Sequence, residues 1–409
     1  MTLARAASVA SVLVAPGNAG CSQSGRGAVA PIERLELDIA DPGAVVAAAQ
    51  SNDVDLVVVG PEAPLCRGVV DALDTAGIAA FGPTAAAARL EGSKAYMKRF
   101  AKERGIPTAP FVVTSDYAEA ARFIEENPKA RVVKADGLAG GKGAVVTSSV
   151  DAAKAAAREM LMGGRFGDAG RTVVVEELLD GVEMSVHVVT DGERYLVLPV
   201  ARDYKRVRDG GAGPNTGGMG AIGPVDVDVK LMKRIERQVI EPTLAGMREA
   251  GTPYRGVLYA GIMVAPDGTP NLLEHNVRFG DPETQVLVHL LDGDLADLMA
   301  SVAAGKLDES AVSVSDRYAI VIVAAADGYP GPPRKGDLVG GMEQAAMLEG
   351  VRIVHAGTDL QGGALVTSGG RVLSVVAVGK SAEQARTRAY RAAEKLSWPG
   401  IHFRRDIGS

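Results

Sequence analysis

The sequence predicts a multidomain α/β and α+β protein: an amino-terminal parallel α/β sheet, a central α+β region in two parts, and a small glycine-rich β/α region at the carboxyl end. Three observations predict it. The chain has 409 residues, room for two or three domains at roughly 150 residues each. Hydrophobic residues make up 47% and charged residues 23%, the balance of a globular chain rather than a disordered or fibrous one. Up to about Leu90, short β-rich runs alternate with alanine-rich helical stretches, as they do in parallel sheets built from βα units.

The elements follow in that order. SVLVAPGNAG and DLVVVGPEAP read as strands, with DPGAVVAAAQ and VVDALDTAG as the intervening helices. Asp41-Pro42 supplies a helix cap followed by a proline at the first turn, and Asn52 to Val59 reads as a strand buried on both faces. The loops from Pro16 to Gly20 and from Gly60 to Leu65 then lie at the carboxyl ends of strands, where open α/β sheets bind ligands. EGSKAYMKRFAKERG, Glu91 to Gly105, reads as one helix closed by glycine. The boundaries expected are 1–90, 91–305 with a small subdomain at about 111–179, and 306–409.

Composition narrows the function. A formal charge of -6 has the wrong sign for a surface that grips nucleic acid, so a polyanion must be met at a local site. Only Cys21 and Cys66 occur, too few for a disulfide framework, which points to a reducing cytoplasm. Serines interrupt the opening apolar run and no cleavage site follows it, against a signal peptide. No run of apolar residues reaches membrane-spanning length. Fifty glycines, clustered rather than periodic, point to backbone loops that close around a ligand.

Four segments carry the chemistry. RVVKADGLAGGKGAVV places Lys134 at a strand end before a loop in which Gly140, Gly141, Lys142 and Gly143 offer amides and charge to phosphate oxygens. It matches neither the P-loop nor the dinucleotide pattern, and an ordinary glycine-rich hairpin would read the same. TVVVEELLDGVE sets Glu176, Glu177, Leu178 and Leu179 before a turn to Glu183; exposed backbone there can read an adenine edge and the carboxylate a ribose, although an acidic strand end would look alike. In NLLEHNVRFGDPETQ, strand alternation puts Glu274 and Asn276 on one face as hard oxygen ligands for a divalent cation, with Arg278 returning to that face and His275 on the other. DYKRVRDGGAGPNTGGMGA combines Lys205, Arg206 and Arg208 with many glycines; either a bound anion orders it or it is a mobile surface loop. Histidine spacing gives no zinc pattern, no G-x-S-x-G occurs, and the terminal Arg404-Arg405-Asp406 reads as a solvated face.

These segments, together with VVGPEAPL, FGPTAAAARLEGSKAYMKRF, FGDAG, YAGIM, RFGDPETQ, GYPG, HAGT and GGRVLSV, resemble the phosphoribosylamine-glycine ligase family of the ATP-grasp superfamily, nearly end to end. The resemblance implies an ATP-grasp core of two subdomains in the centre. It also implies an activity in purine biosynthesis: the carboxylate of glycine takes the γ-phosphoryl group of ATP, and 5-phosphoribosylamine displaces phosphate to give glycinamide ribonucleotide. It assigns Lys94 and Lys134 to ATP phosphates, Glu176 to Leu179 to adenine, Glu183 to ribose, and Glu274 with Asn276 to Mg²⁺ or Mn²⁺. Arg278, Asp281 and Lys205 fall on the catalytic side. Asn18, Glu62 and the Asn215, Thr216, Gly217, Gly218, Met219, Gly220 run fall to the two small substrates. It further implies a monomer or weak homo-oligomer with no nucleic-acid or membrane partner.

The sequence departs from the family pattern mainly at its start. Family members begin with a further strand and a glycine-rich turn bearing Arg-Glu-His, and their loss is expected to weaken the phosphoribosylamine site. Tyr204, Ile222 and His275 stand where other side chains are usual. Two other readings accordingly stand beside the ligase: a nucleotide-binding paralogue without ligase activity, and an ATP-grasp ligase for another acid or amine.

Overall fold

The computed structural model describes residues 2–22, 30–139, 143–164 and 166–409. The chain forms two units, one of Met1–Ser51, Leu198–Asp226 and Gly280–Ser409, the other of Asn52–Val197 and Val227–Phe279. No helix of the described residues is long and apolar enough to cross a membrane.

In the first unit a parallel pair, Val12–Val14 with Ile32–Arg34, precedes the helix Pro42–Ser51. The cap read from Asp41 is formed: its Oδ1 accepts the amides of Gly43 at 2.9 Å and Ala44 at 3.3 Å. The main feature is an antiparallel five-stranded sheet in the order Arg202–Asp203, Gly220–Gly223, Tyr318–Ala325, Arg371–Gly379, Val351–His355. The lysine- and glycine-rich segment thus supplies two strands to the carboxyl-terminal sheet. Ala382–Ala393 lies across that sheet, burying Ala385, Ala389, Ala392 and Ala393 against Ile320, Ile322, Val375 and Ala377. Alanine on that helix face lets it approach closely.

The second unit holds another parallel pair, Leu56–Val58 with Ala79–Phe81. The apolar run from Asn52 is shorter than expected as a strand, because Asn52 and Asp53 form a turn with Asp53 at φ 50°. Its residues are half-buried rather than sealed on both faces, since this strand has one strand neighbour among the described residues. A small antiparallel sheet follows in the order Phe111–Thr114, Val173–Glu177, Ala130–Ala135, Ala144–Val146, with helices Tyr117–Glu126 and Val150–Met162 packed on it around Ile124, Val133, Ala157 and Val175. A larger one runs Tyr195–Val197, Val182–Thr190, Gly256–Val264, Pro270–Asn276.

Three sequence expectations are corrected here. The helix expected from Glu91 to Gly105 breaks at Ser93, whose backbone is extended at φ -137° and ψ 113° and whose hydroxyl caps Lys94–Glu103 by accepting the Tyr96 amide. The run LMKRIERQVIEPTLAGMREAG, whose pattern predicts one continuous helix across Pro242, passes through a π turn, Glu236–Ile240, just before Glu241–Glu249; proline has no amide to give the preceding turn, and the wider turn absorbs the loss. Arg404 is no solvated residue: it is 3% exposed, donating to the Arg206 carbonyl at 3.0 Å and pairing with Asp406.

The close alanine contact yields a prediction. Ala389→Leu forces extra methylenes into a filled space and should destabilise the protein by about 1–3 kcal/mol, read as a lower urea midpoint than for the wild type.

Candidate active site

The strand Pro270–Asn276 shows the alternation its sequence predicts. His275 is buried, its Nε2 sharing a hydrogen bond with the Thr243 hydroxyl at 3.1 Å, while Glu274 and Asn276 are half-buried on the opposite face. Arg278 joins them there, its Nη2 3.5 Å from Asn276 Oδ1. Leu273 is an inserted residue: Gly261 stands opposite Glu274 and Ile262 opposite Leu272, so the strand bulges immediately before its first oxygen donor. Both carbonyls at the bulge are held by side chains. The Thr108 hydroxyl donates to the Leu272 carbonyl at 2.6 Å, and the Lys134 ammonium to the Leu273 carbonyl at 3.1 Å.

Lys134 belongs to a buried charge relay that sequence reasoning did not find. Glu176, 2% exposed, pairs through one oxygen with Lys134 and through the other with Lys98, which is fully buried. Lys98 also donates to the Thr108 hydroxyl at 2.7 Å, so both lysines act on the same bulged strand. Burial alone would raise the Glu176 carboxyl; the two ammonium groups outweigh it and hold it below the usual range. Burial lowers Lys98 to about 8 against the pull of Glu176. The Glu176 side chain therefore positions lysines, and any reading of adenine by this segment falls to backbone. There the Glu177 amide donates to the Pro110 carbonyl and the Leu178 amide to the Lys129 carbonyl, at 3.0 and 2.8 Å, and Leu179 follows outside any helix or strand.

On the other side of the strand end, Arg278 is clamped between two carboxylates, Nε to Glu62 and Nη2 to Glu91, each at 2.9 Å. Glu91 Oε2 also accepts the Val277 amide at 2.7 Å. Burial pushes the Glu91 carboxyl up to about 7; Arg278 and the Val277 amide oppose the rise, and Glu62 and Glu274 add to it. Among the described residues no group of three His, Cys, Asp or Glu side chains stands ready to hold a metal ion. One carboxylate and one amide oxygen on a common face nevertheless suit a hard divalent cation whose remaining ligands are phosphate and water.

Lys94 opens the Lys94–Glu103 helix with its ammonium 3.4 Å from the Gly137 carbonyl. Asp136 ties that glycine loop to the same helix end, accepting from the Ser93 hydroxyl at 2.9 Å and the Ala95 amide at 3.1 Å. Gly143 is hydrogen-bonded to Ala135 at 2.8 Å, whereas Gly140, Gly141 and Lys142 lie outside the described residues. Glu183 is half-buried near the start of Val182–Thr190, opposite Met263.

The first unit gathers the remaining candidates. The Asn215 to Gly220 run is ordered by protein contacts, without need of an anion. Thr216 bonds back to the Lys205 carbonyl through amide and hydroxyl, both at 2.8 Å, and Met219 is fully buried. The Gly217 amide donates to the Tyr329 hydroxyl at 3.0 Å while its carbonyl accepts from Arg371 at 2.8 Å. At Gly218, φ is +112° and a Cβ would lie 2.3 Å from Pro282, so only glycine fits. Gly220 begins a sheet strand. Asp281 pairs with Arg371 at 2.8 Å and accepts from Gln285 at 2.9 Å. Asn18 donates its amide to the carbonyls of His355 and Ala356, at 2.9 and 3.2 Å, and its oxygen accepts from Gly20. These bonds anchor the loop that carries Asn18.

No functional role was read for Lys98, Glu91, Thr108 or Arg371 at the sequence level. Lys98 had one available signal, a lysine on the apolar face of an amphipathic helix, a position that demands a buried partner. Glu91 and Arg371 had none, because their partners are remote in sequence.

Comparison with known proteins gives concordant results. Models of the phosphoribosylglycinamide synthetase N domain, ATP-grasp (A) domain and C domain match residues 1–91, 92–284 and 319–409. A phosphoribosylamine–glycine ligase of Vibrio parahaemolyticus is 46% identical over 98% of this chain and 92% of its own length. The crystal structure of the Thermotoga maritima phosphoribosylamine–glycine ligase superposes with a TM-score of 0.83 at 35% identity, covering 99% of this chain and 96% of that one. A Campylobacter jejuni biotin carboxylase shares the fold at 16% identity and a TM-score of 0.68, covering 90% of this chain and 80% of its own.

Two predictions follow from the buried groups. Lys98→Met removes one of the two cations on a sealed carboxylate and should lower stability by about 3–5 kcal/mol, with the double variant Lys98→Met, Glu176→Gln recovering part of the loss in urea titrations. His275 is pulled down to about 4 by burial, opposed by the Tyr259 carbonyl and Glu274. The unfolded chain takes up that proton below about 6.5 while the folded one refuses it until about 4, so this contribution is full above 6.5 and is lost as pH falls through that window. Thermal midpoints of His275→Asn should therefore decline less steeply than wild type between those pH values.

Proposed function

Since the chain belongs to the phosphoribosylglycinamide synthetase family, it joins glycine to phosphoribosylamine using ATP, and we propose that Glu274, Asn276 and Arg278 are where its two chemical steps are organised. The observation that carries this assignment is their common face at the end of a bulged strand whose carbonyls are held by Thr108 and Lys134. Glu274 and Asn276 would hold Mg²⁺ or Mn²⁺, which when bound would supply positive charge to offset that of the phosphates. Lys94 and Lys134 meet the phosphates as point charges, with Gly140, Gly141, Lys142 and Gly143 closing over them. Backbone from Glu177 to Leu179 reads adenine, and Glu183 the ribose.

In the first step a carboxylate oxygen of glycine attacks the γ-phosphorus, the bond to the β-phosphate oxygen breaks, and ADP departs. In the second, the amine of phosphoribosylamine attacks the carbonyl carbon of glycyl phosphate, phosphate leaves, and the nitrogen gives up a proton. Positioning and charge neutralisation dominate such steps, so a site with no nucleophilic triad suffices. Arg278 forks onto the acyl-phosphate oxygens, and Glu62 beside it faces the small substrates. The Asn215 to Gly220 run with Lys205 forms the acceptor side, and Asp281 positions it through Arg371. The same proposal includes a cytoplasmic chain, monomeric or weakly associating, whose two cysteines are free thiols.

Phosphate release should require ATP, glycine and phosphoribosylamine together. Glu274→Gln should lower kcat by about 10²-fold or more while the protein remains folded. Full turnover in that variant would overturn the assignment, and phosphate release without phosphoribosylamine would overturn the acceptor.

A further inference from the structure

Glu91 has no part in the roles above, yet its carboxylate makes two directed contacts at the strand end. It lies in Ala85–Gly92, just before the break at Ser93, with its side chain 10% exposed. Oε1 takes Arg278 Nη2 at 2.9 Å, and Oε2 takes the amide of Val277 at 2.7 Å. Val277 is the residue between Asn276 and Arg278. One side chain therefore fixes the backbone immediately after the second oxygen donor and the direction of the guanidinium beyond it. On the other side of the Ser93 break stands Lys94, the first residue of its helix.

We propose that Glu91 is a positioning residue that holds Asn276 and Arg278 in register with Lys94 for phosphoryl transfer, a role that rests on the reading of this strand end given above. A simple tie between helix and strand would need only an acceptor for the Val277 amide, and a neutral glutamine would serve. The second oxygen serves Arg278 alone. Keeping a carboxylate at a site where burial pushes it up to about 7 disfavours its charged form, and ion pairing with Arg278 is what that charge achieves.

Glu91→Gln separates the two contacts, since its amide oxygen can still accept from Val277 while the charge facing Arg278 is gone. The expected result is a thermal midpoint within a few degrees of wild type, a KM for ATP within about twofold, and a kcat lower by roughly 10- to 100-fold. Adding Arg278→Lys to Glu91→Gln should cost little beyond Arg278→Lys alone, because both act on one interaction. Wild-type kcat in Glu91→Gln, or losses that simply multiply in the double variant, would overturn the proposal. If Glu91→Gln does not fold, Glu91→Asp decides: it keeps the charge but shortens the reach, so a several-fold lower kcat at unchanged KM for ATP supports the role and wild-type kcat refutes it. Glu274→Gln, run in parallel, separates the two failures. An inactive Glu274→Gln with a fully active Glu91→Gln removes only the Glu91 role, whereas an active Glu274→Gln removes the strand reading itself.

Discussion

The bulged end of the strand Pro270–Asn276 is the constraint on which the proposed active site depends. A strand offers its side chains to two faces in turn, and here the division sets His275 in the core and Glu274 with Asn276 at the opening. That division would be soft at a sheet edge if nothing held the backbone. Two supports hold it. From one side, Lys98, Glu176, Lys134 and Thr108 grip the carbonyls of Leu272 and Leu273; from the other, Glu91 grips the amide of Val277. The backbone that carries Glu274 and Asn276 is thus preorganised by buried charge on both sides.

The first unit solves the converse problem, fixing a glycine-rich run that cannot fix itself. Free glycines lose the most conformational freedom on ordering. The Asn215 to Gly220 run is ordered because Thr216, Tyr329 and Arg371 each take up part of its backbone and because Gly220–Gly223 enters the sheet beside Tyr318–Ala325. Arg371 also holds Asp281, so the loop and the turn after Gly280 share one support.

What the sequence disclosed and what it hid divide along physical lines. Period-two alternation is local, so the faces of Glu274, His275 and Asn276 could be read directly. Caps are also local, and Asp41 was read correctly; the cap at Ser93 was overlooked within a pattern that otherwise ran on as helix. Glycine clustering drew attention to the Asn215 to Gly220 run but could not say what orders it, because Tyr329 and Arg371 lie far along the chain. Charges were the least legible. Lys98 and Arg404 look like surface residues in one dimension and are sealed in three, each by a carboxylate that folding brings or holds beside it. The three-part architecture was readable because it rests on element order and on ordered motif blocks, neither of which depends on knowing a single contact.

The distribution of charge around Arg278 bears on how the substrates enter. Three carboxylates, Glu62, Glu91 and Glu274, act in the neighbourhood of one guanidinium, and the upward push on Glu91 registers that excess. An acidic surround repels a bare triphosphate at short range. Lys98 and Lys134 offset it only in part, because Glu176 cancels one of their two charges. A divalent cation changes the sign of the local field, and one carried on the nucleotide brings its own counter-charge to the face that Glu274 and Asn276 share. On the assignment proposed above, the acidic cluster would favour the metal-bound nucleotide over the free one. In the proposed assignment the carboxylates thus select the metal-bound form of the nucleotide, while the lysines and glycine amides hold its phosphates.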